Sequence, residues 1–160
     1  MTRSNVPRVR LYIDGSGLDD AQEQFRGIAD RAMDSKLVMR AIQALMVDSS
    51  IEQFESGGDS VGDPWTPDVT EWTERKAAKG ESAKTFERHG DLHSAMIAKT
   101  SGGKGAIRRV SKHSTTVGVR LYYAVFAGRK RRRLLTMTVP QQERYATMMI
   151  DYILEGTIAK

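Results

Sequence analysis

Cysteine is absent from all 160 residues. That removes disulfides, thiolate metal sites and cysteine nucleophiles together, and it fits a reducing, cytosolic origin. Aromatic residues are sparse at 7%, and apolar residues reach only 39%. A modest core is therefore expected, with apolar surface left for a partner to complete. No apolar run approaches the length of a membrane span, and the opening MTRSNVPRVRLYIDG contains no hydrophobic stretch of the signal-peptide kind. No membrane association is expected. Catalytic motifs are equally scarce. There is no Gly-x-Ser-x-Gly elbow, and SGGKGA at 101–106 lacks both the spacing of a phosphate loop and its following Ser or Thr. It reads as a flexible hairpin tip.

What is present is charge, unevenly placed. The net charge is +5, yet residues 14–74 hold 14 acidic and 4 basic side chains, and residues 75–160 hold 6 acidic and 18 basic. A fold that keeps these halves apart lets copies attract one another; a fold that mixes them leaves no dipole. Five cations run together in GRKRRR: Arg129, Lys130, Arg131, Arg132 and Arg133. Like charges at that density repel, so residues 128–133 are expected as an exposed loop facing either DNA phosphate or an acidic neighbour. No recognition helix or interleaved aromatic accompanies the run, so it is suited to gripping a backbone and not to reading bases.

Hydropathy patterning predicts an α+β fold in one domain spanning 1–160. RVRLYID at 8–14 alternates as a half-buried strand. Ser16 is a candidate cap for a helix whose apolar set is Leu18, Ala21, Phe25, Ile28 and Ala29. Asp34 is the expected N-cap of a longer second helix carrying Leu37, Val38, Ala41, Ile42, Leu45, Met46, Ile51 and Phe54, which Ser56-Gly57-Gly58 stops. A long, mostly irregular, ordered loop is expected at 55–80, with at most a helical turn beginning at Thr70. GDLHSAM at 90–96 leads into a helix or strand. Two strand-like runs flank a turn at 112–114, LLTMTV at 134–139 reads as a further short strand, and Pro140 opens a closing helix with Tyr145, Met148, Met149, Tyr152 and Ile153 on one face. The expected architecture is a small antiparallel sheet packed with two N-terminal helices and a C-terminal helix. The eight methionines, clustered partly at Met137, Met148 and Met149, read as core filling, with adaptable subunit contact as the alternative.

His89 and His93 bracket Asp91, a spacing that invites a metal. Gly90 between them marks a turn and no third ligand lies nearby, so polar turn residues are the expected reading. No metal, cofactor or catalytic residue is assigned.

The 55–80 loop holds both tryptophans of the chain, Trp65 and Trp72, beside Pro64 and Pro67. With the segments downstream of it, the loop makes one pattern: GDPWTP, then GDLHSAM, then TTVGVRLYYAVFAG, a basic loop and a final helix. This resembles the bacteriophage virion-morphogenesis, or tail-completion, family. Gly62, Pro64, Trp65, Pro67, Gly90, Leu92, Val117, Gly118, Tyr123 and Ala124 occupy its motif positions. The chain departs from the pattern at His89, in place of threonine, at Ser94, shifted by one position, and at VFAG after Tyr123-Ala124. The resemblance implies a non-enzymatic ring subunit at the neck or tail terminator of a tailed phage, sixfold, meeting a head-closure protein and a tail tube protein. DNA passes through its lumen without sequence-specific binding. It also implies a virion location after assembly in the host cytoplasm. Trp65, stiffened by its prolines, is a rigid anchor for either its own sheet or a neighbouring subunit, and Trp72, on a more polar stretch, is the better interface candidate of the two. A basic nucleic-acid-binding accessory protein using residues 129–133 is the rival reading.

Overall fold

A computed structural model describes residues 15–65, 70–81, 90–102, 105–121, 124 and 136–158. In chain order these form α1 (Ser16–Met33), α2 (Lys36–Glu55), a 3-10 turn (Asp59–Val61), α3 (Thr70–Ala78), α4 (Asp91–Ile97), β1 (Ala106–Val110), β2 (Thr115–Val119) and α5 (Val139–Glu155). The fold is α+β, as the patterning predicts. β1 and β2 pair antiparallel, Ala106 opposite Val119 and Val110 opposite Thr115. The expected strand at 8–14 lies outside the described residues, as do residues 134 and 135. Thr138 is extended, but residues 136–138 join no sheet, so among the described residues the meander is a two-stranded hairpin.

α2 is the axis of the fold. It packs against α4, both strands and α5, and its two ends serve two apolar clusters. Val38 and Ile42 meet Met148 of α5, flanked by Leu45, Tyr145, Met149 and Tyr152. Phe54, at the other end, meets Trp65, Leu92 and Met96, flanked by Val119 and Leu121. Met148 and Met96 are thus core filling, whereas Met137 is exposed. Between the clusters α2 carries polar groups that clamp its neighbours. The Gln43 amide nitrogen donates to the Arg109 carbonyl (3.1 Å) and to Thr115 Oγ1 (3.2 Å), fastening the helix to the hairpin. Gln53 is almost wholly buried, and its Oε1 accepts from the Thr136 backbone N–H at 3.4 Å.

Local start and stop signals act largely as written in the sequence, with four corrections. Gly15, not Ser16, is the N-cap of α1, and Ser16 is already helical. Asp34 closes α1, and the N-cap of α2 is Ser35. The Asp34 carboxylate still accepts from the Lys36 N–H at 3.2 Å, so it satisfies one orphan donor from a position further out. Within 55–80 the helical turn expected from Thr70 is longer than one turn, since Thr70–Ala78 makes two full turns of helix, and Asp59–Val61 adds a 3-10 turn. α5 begins at Val139, so that residue is helical and not the end of a strand at 134–139, and Pro140 stands in the first turn as the sequence predicts. α5 opens with a capping box in which Thr138 Oγ1 accepts from the Gln141 N–H and Gln141 Oε1 accepts from the Thr138 N–H, with Pro140 in the first turn.

Candidate assembly site

The chain folds its proline–tryptophan loop back onto the end of α2. Gly57 and Gly58 both take positive φ, so the backbone leaves the helix and turns on itself. The Gly58 N–H then donates to the Gln53 carbonyl (2.8 Å), and the Trp65 N–H donates to the Gly57 carbonyl (2.7 Å). This places the Trp65 indole edge-on to Phe54, ring centroids 4.9 Å apart at 82°. Trp65 is 8% exposed and belongs to the core of its own subunit. Pro64 beside it is exposed. Pro67, the side chain of Trp72 and Arg129, Lys130, Arg131, Arg132 and Arg133 lie outside the described residues.

The same cluster accounts for His93. Its ring packs against Phe54, centroids 5.5 Å apart, at the first turns of α4. His89 lies outside the described residues. Among the described residues no three of His, Asp and Glu are grouped as a metal would require.

Two arginines that no sequence motif marks hold helix ends in place. Arg108 sits in β1 between Ala106 and Val110 on the face turned to the core, where alternation normally demands an apolar residue. It is 7% exposed. Its guanidinium donates to the carbonyls of Ala95 (3.0 Å) and Met96 at the C-terminus of α4, and to those of Ile107 (2.8 Å) and Gly118 (3.0 Å). A cation at a helix C-terminus meets unpaired carbonyls and the negative end of the dipole. Burial pulls the Arg108 pKa below its ordinary value, and Nε has no partner among the described residues. Arg31 does the same for α5: Nε donates to the Ile153 carbonyl and Nη2 to that of Leu154, both at 2.8 Å.

Arg31 also shows which way α1 faces. α1 meets the rest of the fold mainly at α5, along a cleft lined by Gln24, Gly27, Ile28 and Arg31. At about 100° per residue, Leu18, Phe25 and Ala29 lie on a different face, roughly 120° around the helix. That face is uncovered: Leu18 is 57% exposed, Phe25 70% and Met33 69%. The apolar set expected to bury α1 is only half used, by Ala21 and Ile28. Asp20 and Glu23 line the cleft toward α5 as well, and Asp19 and Asp30 are exposed elsewhere on the helix. The acidic and basic halves of the chain do meet within the subunit, where Lys112 of the hairpin turn pairs with Asp34 at 3.7 Å.

Residues 17–119 match the phage virion morphogenesis family. No curated protein and no solved structure matches the chain.

Proposed function

The chain belongs to the phage virion morphogenesis family, and we propose that it is a structural, non-enzymatic subunit of an oligomeric ring at the head–tail junction of a tailed bacteriophage. The coarser role comes with the family: the protein acts in building a phage virion. The finer reading is of a neck or tail-terminator ring that joins or completes the tail around a DNA channel. Six copies, contact with a head-closure protein and a tail tube protein, and residence in the virion after assembly in the host cytoplasm belong to the same proposal. Among the described residues no helix is long and apolar enough to cross a membrane.

One observation carries the ring reading. α1 presents Leu18, Phe25 and Met33 to solvent while its own fold holds it by another face. Large apolar side chains left exposed along one helix are candidates for a protein contact. In a ring it is met by a different surface of the next copy, since head-to-tail contacts of that kind close on themselves. The mechanism is then geometric. Trp65 spends its aromatic surface inside the subunit, which makes the loop a rigid part of each building block, and α1 supplies the joint.

Native mass spectrometry of the purified chain tests this. The expected result is a discrete closed oligomer, or one formed on adding isolated tail tubes. A chain that stays monomeric with tubes present, yet binds DNA through residues 129–133, supports the accessory-protein reading and overturns the ring. The basic run is proposed to face an acidic protein neighbour more than the DNA. Lys130→Ser, Arg131→Ser and Arg132→Ser together should weaken attachment to the tail, as raised salt should, while leaving the subunit folded.

A further inference from the structure

The hairpin has two faces, and only one is spoken for. Ala106, Arg108 and Val117 turn inward. By strand alternation Ile107, Arg109, Thr116, Gly118 and Arg120 turn outward. Arg109 and Arg120 are exposed, and among the described residues neither makes an ion pair. Both line a cavity of about 270 Å³, which Gly102, Gly105 and Ile107 help to wall.

The walls are unusually bare, and SGGKGA explains part of this. The Gly102 N–H donates to the Ala106 carbonyl (3.4 Å) and the Gly105 N–H to that of Gly102 (3.2 Å), so the chain turns back on itself ahead of β1. Ser101 Oγ accepts from the Arg108 N–H (2.7 Å) and donates to the Arg108 carbonyl (2.6 Å), tying Ser101 to the outer edge of β1. The Arg120 N–H donates to the Gly105 carbonyl at 2.7 Å, which brings Arg120 to the same end of the cavity.

Gly118 is the telling residue. It sits in the middle of β2 opposite Ile107, in register between the levels of Arg109 and Arg120. Its φ is not positive, and a Cβ there would meet nothing within 4 Å. Among the described residues neither backbone conformation nor packing calls for glycine, although glycine weakens a strand interior. A strand glycine of this kind marks a place that another molecule approaches closely.

We propose that the outward face of the β1–β2 hairpin is a phosphate site for the backbone of duplex DNA, with Arg109 and Arg120, which line its cavity, as the cations and Gly118, on the same face and in register between them, leaving the strand open to close approach. The guanidinium fork matches phosphate oxygens two at a time. Among the described residues the face offers no aromatic and only a half-buried Ile107, so they supply no apolar anchor of the kind a protein partner uses. With both arginines assigned to phosphates, binding is independent of sequence. The proposal rests on the ring reading only for the source of the phosphates, namely DNA in the lumen.

The test is the salt dependence of duplex DNA binding by the full chain, with inorganic pyrophosphate as a second probe. Arg109→Ser with Arg120→Ser should lower the slope of log K against log salt by about 2, one per lost phosphate contact, with the oligomeric state unchanged. Gly118→Val, a good strand residue in open space, should keep or raise stability while weakening DNA binding several-fold. The proposal is overturned if wild type does not bind duplex DNA, or if both variants retain wild-type affinity and slope. It is also overturned if pyrophosphate alone is bound, which would make the site one for small phosphates. Loss of assembly with the DNA slope intact would make the partner an acidic protein surface, again overturning it. Failure of the ring reading is read separately, from the mass of the wild-type assembly.

Discussion

The indole of Trp65 occupies the space where Gly58 has no side chain. A Cβ on Gly58, whose φ is +90°, would come within 2.7 Å of Trp65 Cδ1 and 2.9 Å of Nε1, and nearer still to the Asp63 carbonyl. Gly58→Ala should therefore destabilise the fold through both the backbone conformation and the overlap. Trp65→Ala, which empties a buried site, should cost about 3–5 kcal/mol. Urea unfolding measures both, and a Trp65→Ala protein that unfolds at the wild-type midpoint would show that the loop is not pinned there.

Arg108 joins α4 to the hairpin through carbonyls of both. Arg108→Met keeps much of the apolar stem but leaves buried carbonyls unpaired, at about 1–3 kcal/mol for each group fully orphaned. Arg108→Lys should recover little, because a single ammonium does not reproduce a planar fork. Amide hydrogen exchange should show protection lost first in Asp91–Ile97. Uniform loss across the protein would argue against a local clamp.

Phe25 is exposed in the isolated subunit, so replacing it should leave folding nearly untouched, within about 0.5 kcal/mol. Phe25→Asp should nevertheless dissociate the oligomer. An assembly of unchanged mass would remove α1 from the joint.

Burial raises the Tyr145 phenol above its ordinary value. Asp48 and Glu52 add to the shift and Arg144 opposes it. A phenol held above its unfolded value keeps its proton more firmly in the fold. Its contribution is complete below about pH 10 and is lost as pH rises through the folded value. Tyr145→Phe should flatten the alkaline fall in stability expected of wild type. Superimposable alkaline limbs would mean that Tyr145 is not the group responsible.

Much of the fold is legible in the chain because the signals are local. The Ser56-Gly57-Gly58 stop, Pro140 at the start of α5 and the Lys112–Ser114 turn each depend on residues within one turn of one another. The apolar spacing of Val38, Ile42 and Phe54 likewise announces α2 as a buried helix. α3 is harder to read, because two prolines and four glycines outweigh a short, polar helical segment when no partner is in view.

The sequence by itself determined where the chain turns, caps and alternates, since each of those choices minimises free energy within a few neighbouring residues. Only the tertiary structure decided that Arg108 points inward, that Gly58 is bare for Trp65, and that α1 turns Gln24 and Arg31, not Phe25, toward its own fold. An inward arginine is stable only when carbonyls from a distant helix end converge on it. An outward phenylalanine is visible only once every internal surface has been taken. Both depend on groups brought together from far apart in the chain, which no local window contains.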